Sequence, residues 1–231
     1  MNLRNGVIIA IDKPYGLSSF RALAHVRYEL SKHVGYRVKM GHAGTLDPLA
    51  TGVLVLCTGK ATKTIETLQG HTKQYKAALR LGATTPSFDR EHEIDAHYPT
   101  AHITRDLIEE TLQKFVGDIM QVPPVYSACK VKGDRAYELM RKGKEVELQA
   151  KPIHIDEIVI EDFDESEMIL TISVTCGKGT YIRSLARDIG EALGSGAYLE
   201  SLRRTRSGEI RVEDCIAFDK LRDWIMEQDI E

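Results

Sequence analysis

Asp47 is the carboxylate whose setting points most directly to chemistry. It lies in Gly41-His42-Ala43-Gly44-Thr45-Leu46-Asp47-Pro48-Leu49-Ala50-Thr51-Gly52, directly before the apolar run Val53–Cys57. Three glycines and a proline in twelve residues shape a backbone rather than merely link two elements. An aspartate on such a loop is placed to act as a nucleophile or as a base.

A second constellation is Gly177-Lys178-Gly179-Thr180-Tyr181-Ile182-Arg183. A Gly-x-Gly turn lets the backbone run close to a ligand, and the N-terminus of the helix that follows favours an anion. Arg183 falls on the first turn of that helix, with Arg187 one turn later. Arg183 could orient a carboxylate through a bidentate pair, clamp a phosphate, or be a solvated surface arginine. Tyr75 has the inward parity of its strand and reads either as a core tyrosine or as an aromatic platform for an extruded base. His42, five residues before Asp47, could fill the space such a base leaves, or bond within the loop.

The elements that must position these residues are legible from periodicity. Val7–Ile11 reads as a short buried strand, followed by a turn at Asp12–Gly16. Ser18 or Ser19 then caps a helix with Phe20, Leu23, Leu30 and the stem of Arg27 inward. Val53–Thr58 is a strand, and Gly59–Lys63 opens a short helix with Ile65 and Leu68 inward. Lys73–Leu81 alternates as a half-buried strand. Residues 84–103 are polar, hence a long loop or edge. Thr104 caps a helix that Gly117 ends. Ile153–Ile160 and Met168–Cys176 are strands, and Thr180 caps a last helix that stops at Gly194. The class predicted is α+β, with a central mixed or antiparallel sheet flanked by helices, in one large domain covering 1–231.

Residues 121–152 differ from their surroundings. Pro123 and Pro124 keep the first part extended, and Asp134 is expected to cap a short helix through Met140. Lys130, Lys132, Arg135, Arg141, Lys142 and Lys144 make the segment a basic flap that could close over a ligand.

Composition is that of an ordinary globular chain: 231 residues, 42% hydrophobic and 28% charged, with net charge −3. No apolar run approaches the ~20 residues that span a bilayer, and the N-terminus lacks the pattern of a signal peptide. The expectation is a cytoplasmic protein and, with no coiled-coil seam, a monomer. The four cysteines form no Cys-x-x-Cys pair, and the eight histidines show no metal-ligand spacing, so no metal is expected. Charge is uneven. Residues 176–211 hold seven bases against four acids, whereas 156–167 hold seven acids and no base. The stretch from Glu213 to Glu231 is acidic as well. Such asymmetry fits one face that holds a polyanion.

Seven ordered motifs carry a resemblance. They are Asp12-Lys13-Pro14-x-Gly16-x-Ser18-Ser19, the Asp47 loop from Gly41 to Leu54, Gly59-x-Ala61-Thr62-Lys63, and Lys73-x-Tyr75. Gln121-Val122-Pro123-x-x-Tyr126-Ser127-Ala128, Lys178–Arg183 and Leu202-Arg203-Arg204 complete the set. From about Ile9 to Gly208 the chain resembles the bacterial-type tRNA pseudouridine-55 synthases. The resemblance implies a cofactor-free isomerase that converts one T-loop uridine of tRNA to its C5-linked isomer. It makes Asp47 the essential carboxylate and has Tyr75 stack on the extruded uracil. Arg183 pairs with Asp47, His42 occupies the gap in the T-loop, and Leu202 lines the pocket wall. Lys13, Gly44, Tyr181, Lys130 and Arg203 join the substrate-binding residues, and 121–152 corresponds to an inserted thumb over the RNA stem-loop.

There are two departures from the pattern. Thr85-Pro86-Ser87-Phe88-Asp89 stands where many members have Thr-Asp-Thr-x-Asp. The chain also stops at Glu231, without the C-terminal RNA-binding (PUA) domain of many relatives, so tRNA affinity is expected to lean on the thumb and Arg203-Arg204. The rival readings are a non-catalytic tRNA-binding or folding module, a synthase with another RNA target, and a phosphate-binding enzyme built on Gly177–Arg183.

Overall fold

Alternation and apolar runs become strands at nearly all the places predicted, and the class is α+β. The computed structural model describes residues 1–127 and 148–230, with the backbone alone of 130–131 and 134–135. They fall into two compact units, Met1–Tyr75 with Leu202–Glu231, and Lys76–Ser201.

In the first unit the chain begins with β1 (Ile8–Lys13), then α1 (Ser19–Val34), β2 (Met40–His42) and β3 (Ala50–Thr58). A 3-10 turn at Gly59–Thr64 leads into α2 (Ile65–Gly70), and β4 (Lys73–Leu81) carries the chain onward past Tyr75. It returns within β12 (Ala197–Ser207), followed by β13 (Ile210–Arg211), β14 (Ile216–Ala217) and α5 (Leu221–Glu227).

β3 organises this unit. It is apolar along its length because both its faces are covered. Leu54 and Leu56 pack with Ile9, Ile11, Val26, Leu30, Leu221 and Ile225. Val53 and Val55 pack with Ala43 on the other face, against Ile65 and Leu68 of α2. Along one edge β3 pairs antiparallel with β1. Its other edge is shared: Ala50–Gly52 pair parallel with Leu202–Arg204, and Leu56–Thr58 pair antiparallel with β2. The Asp47 loop therefore bulges from the edge between β2 and β12. Gly52, at φ 102, lets β12 come this close, since a Cβ there would lie 2.2 Å from the Arg204 carbonyl oxygen.

Helix α1 is capped by Ser18, whose Oγ accepts from the Arg21 amide, and ends at Gly35 in the left-handed region. Its buried face differs from the one predicted. Ala22, Leu23, Val26, Glu29 and Leu30 are inside, Arg27 is half-buried, and Phe20 is 67% exposed. Glu29 is accommodated by Arg222 of α5, whose Nη2 donates to it at 2.8 Å and holds its carboxyl below the usual range.

The second unit is antiparallel. A long hairpin joins β10 (Lys151–Asp164) to β11 (Ile169–Cys176), and β7 (Gly117–Gln121) pairs with β10. Its helices among the described residues are α3 (Arg105–Gln113), capped by Thr104 as predicted but ending before Gly117, and α4 (Ile182–Ala192). The polar stretch from 84 to 103 is more ordered than a plain loop. It holds the hairpin β5 (Ala83–Thr84) with β6 (Ala96–His97) and a parallel bridge from Asp89 to Leu199. Asp134 lies in β9 (Asp134–Arg135), paired with β8 (Lys130–Val131), and the helix predicted after it, through Met140, lies outside the described residues. Residues 128–129, 132–133 and 136–147 of the thumb, and the Lys130 side chain, lie outside the described residues.

Candidate active site

The seven residues that follow β2 form the Asp47 loop, and the structure fastens it on both sides of the carboxylate. Ser19, buried at the start of α1, donates its hydroxyl to the Leu46 carbonyl and accepts from the Leu46 amide, both at 2.8 Å. Beyond Asp47, the Pro48 carbonyl accepts from the Gly16 amide at 2.9 Å and from Lys13 Nζ at 3.3 Å. Arg204 Nη2 and Nη1 reach the Gly44 and Thr45 carbonyls, at 3.2 and 3.5 Å, and its Nε donates to the Val53 carbonyl at 2.7 Å. The Ala50 amide closes the turn on the Asp47 carbonyl. The Asp47 side chain is half-buried on a backbone with little freedom left.

Lys13 and Arg204 are fully buried cations beside this loop. Lys13 spends its three donors on the carbonyls of Pro14, Leu17 and Pro48, so it serves as a positioning residue for the loop. Burial pushes its ammonium down to about 8, Asp47 draws it back up, and Arg204 pushes it further down. Two consequences follow for measurement. The Lys13 ε-carbon signal should titrate with a midpoint of about 8, and Asp47→Asn should lower that midpoint, because the neighbouring anion is gone. An unchanged midpoint in the variant would show that Asp47 does not face Lys13. Between that midpoint and the ordinary 10.5, the unfolded chain keeps a proton that folded Lys13 has lost, so this residue makes stability rise with pH across that window.

His42 ends β2 opposite Leu56. Burial first, and then Arg204, hold its imidazole below the ordinary value, which favours the neutral ring. Its Nδ1 is buried without a hydrogen-bond partner among the described residues. Gly44 sits at φ 103 over Arg204. Leu202 is half-buried opposite Ala50. Tyr75 is buried on β4, at the end of this unit's first segment. Arg203 is turned to the opposite side from Arg204 and makes a two-pronged pair with Asp12, at 2.6 and 3.1 Å. The expectation that both arginines serve RNA is corrected for Arg204, which is 1% exposed and committed to the loop carbonyls.

The second unit holds Tyr181 and Arg183. Arg183 is 3% exposed, which removes the solvated-arginine reading. Its Nη1 donates to the Ser87 carbonyl at 3.2 Å and its Nη2 to the Tyr126 carbonyl at 3.0 Å, and its Nε lies 3.7 Å from the buried Asp89 carboxylate. Gln121 fixes the turn before α4 by accepting from the Tyr181 amide and donating to the Tyr181 carbonyl. The cap predicted at Thr180 is displaced by one residue. Thr180 Oγ1 bonds back to the Gly177 carbonyl, and Tyr181 takes the N-cap position without a side-chain cap. Arg187 lies over the Phe88 ring and pairs with Asp188.

Ser19, Asp89, Gln121 and Arg204 were not singled out from sequence as holding the site together. Strand alternation was available for Arg204, since one residue of an adjacent pair on a buried strand must face inward. Nothing in a polar stretch marked Asp89 as buried. Among the described residues no group of three His, Cys, Asp or Glu side chains is placed to hold a metal ion. None of their helices is long and apolar enough to cross a membrane.

Comparison with known proteins agrees with this geometry. Residues 32–182 match the TruB family pseudouridylate synthase N-terminal domain, and 183–231 match the tRNA pseudouridylate synthase B C-terminal domain. A tRNA pseudouridine synthase B from Bacteroides thetaiotaomicron is 59% identical over 234 residues, covering 100% of this chain and 98% of that protein. One from Francisella philomiragia is 45% identical, covering 97% of this chain and 72% of its own length. The crystal structure of a Cbf5-Nop10-Gar1 complex contains a similar fold, with TM-score 0.73 and 30% identity over 96% of this chain, which spans 55% of that one. With both halves matched and the Asp47 loop intact, the chain belongs to the TruB family of pseudouridylate synthases.

Proposed function

We propose that this protein isomerises uridine to pseudouridine in tRNA, at uridine 55 of the T-loop, with Asp47 as the essential carboxylate. The observation that carries this reading is the clamping of the backbone on each side of Asp47 by Ser19, Lys13 and Arg204. A reacting group held this way needs little reorganisation when substrate arrives. The relatives named tRNA pseudouridine synthase B, similar along the whole chain, supply the reaction and the RNA.

The reaction breaks the N1–C1′ bond of the nucleoside, turns the uracil and joins C5 to C1′. N1 gains a proton and C5 loses one, so the atoms balance without a co-substrate. Asp47 supplies the nucleophile or base. Tyr75 stacks on the loosened ring, and Leu202 shields it from water. Arg183, aimed by the Ser87 and Tyr126 carbonyls and by Asp89, is the proposed partner of the Asp47 carboxylate. Neutral His42 fills the place the base vacates in the T-loop, and Lys13 and Gly44 shape the loop beneath it. Tyr181, Arg203 and the thumb with Lys130 contact RNA. The protein acts as a monomer in the cytoplasm, where its substrate is.

Tritium release from a C5-labelled, unmodified tRNA transcript tests this. Wild type should release one tritium per tRNA, with the product mapped to uridine 55. A protein that binds and refolds the transcript but releases none would instead be the tRNA-folding module.

A further inference from the structure

Arg187 and Phe88 have no part in the chemistry assigned so far, yet they flank the groups that aim Arg183. Those groups come from two segments: the Ser87 carbonyl and Asp89 carboxylate from one, the Tyr126 carbonyl from the other. Phe88 lies between the first two, and Val122 stands four residues before Tyr126. Arg187, one turn beyond Arg183 on α4, touches both. Its guanidinium carbon lies 4.8 Å from the centre of the Phe88 ring, and its Nη2 donates to the Val122 carbonyl at 3.2 Å. Ser184 donates to the same carbonyl at 2.8 Å.

The Arg187 guanidinium is itself held. Its Nε donates to Asp188 Oδ1 at 2.7 Å, and its Nη2 lies 2.6 Å from the same oxygen. The side chain is 16% exposed, so it faces protein more than solvent. Phe88 is held as well, and in an unusual shape. Its φ is 61, a left-handed conformation that a bulky L residue adopts only where its surroundings impose it. Its amide donates to the Thr85 carbonyl at 3.1 Å and its carbonyl accepts from the Leu199 amide at 2.9 Å. Glycine would take this backbone shape at less cost. What phenylalanine adds here is its ring, and the ring meets a cation.

We propose that Arg187 and Phe88 are positioning residues for isomerisation, acting through Arg183. The cation over the ring locks the Thr85–Asp89 turn, and the bond to Val122 locks the start of the 121–152 segment. Together they fix the Ser87, Asp89 and Tyr126 groups on which the Arg183 guanidinium rests. The inference rests on the isomerase reading, in which Arg183 is the partner of Asp47.

Three variants test it: Phe88→Gly, which suits the left-handed backbone but removes the ring, Phe88→Tyr, which keeps the ring, and Arg187→Met, which removes the cation. Single-turnover tritium release at saturating enzyme should fall roughly 10-fold or more in Phe88→Gly and Arg187→Met, because small displacements at a reacting centre are costly. Phe88→Tyr should keep the wild-type rate. The Kd for the transcript should stay within about twofold of wild type in all three, with unchanged salt dependence. In an Asp89→Asn background, Phe88→Gly should slow release little further, since the turn's grip on Arg183 is already weakened. A merely structural loss would multiply with the first.

A second readout needs no turnover. Exchange of the Arg183 Nε proton with solvent, followed by ¹⁵N NMR, should quicken roughly 10-fold or more in Phe88→Gly and Arg187→Met, and stay as in wild type in Phe88→Tyr. Wild-type release in the first two variants, or unchanged Arg183 exchange, would overturn the proposal. So would a weaker Kd with a shallower salt slope at an unchanged rate, which would make Arg187 a phosphate contact. If wild type released no tritium while the exchange still quickened in the variants, the isomerase reading would fall and the two residues would stand as supports of Arg183.

Discussion

Asp47→Asn is expected to lower tritium release by about 10⁴-fold or more, with the fold and RNA binding retained. Asparagine keeps the shape of the side chain but supplies neither a nucleophilic oxygen anion nor a base. The groups that fasten the loop belong to its neighbours: Leu46 to Ser19, Pro48 to Gly16 and Lys13, Gly44 and Thr45 to Arg204. None of these bonds uses the carboxylate, so the loop should stay in place. Circular dichroism and the Kd for the transcript would report that separately from activity. A variant retaining a tenth of wild-type release would show that the carboxylate is not essential.

Arg204→Met should be the most destabilising single change in the first unit, by about 3–5 kcal/mol in urea unfolding. Methionine fills much of the arginine stem's volume but leaves the buried Val53 carbonyl, and the part-buried Gly44 and Thr45 carbonyls, without their donor. Arg204→Lys should fall between the two, since one ammonium cannot span three diverging carbonyls as the planar guanidinium does. Activity should fall in both variants because the loop loosens. If stability were unchanged and only the Kd for tRNA rose, Arg204 would be an RNA contact instead of a clamp.

These two residues also mark where sequence reasoning stops. Asp47 was conspicuous because the constraint on it is local, a glycine-rich loop running into an apolar strand. The same holds for β3, β4 and α3, whose periodicity survives intact. Arg204 was misread because an Arg-Arg pair on a polar stretch looks solvated. Only the pairing of β12 with Ala50–Gly52 turns the second arginine inward and the first toward Asp12. Asp89 and Glu29 are similar cases, carboxylates buried because a partner distant in sequence, Arg183 or Arg222, is also there. Phe20 errs the other way: an apolar residue at near-helical spacing is left outside because the face of α1 is set by what α5 and β3 offer. Local periodicity reports elements well, whereas burial of charge depends on long-range partners that no short window contains.

The first unit is built from the two ends of the chain, and its middle is missing until residues 202–231 are added. On the ribosome, Lys76–Ser201 emerge while β3 still lacks the strand that holds its Ala50 end and the guanidinium that holds the Gly44 and Thr45 carbonyls. The order of synthesis therefore places the fastening of the Asp47 loop by Arg204 after Lys76–Ser201 have been made. A nascent chain has Asp47 early but cannot present it, and a chain truncated before Leu202 leaves the loop without its clamp. Activity thereby depends on residues made only after the whole of Lys76–Ser201.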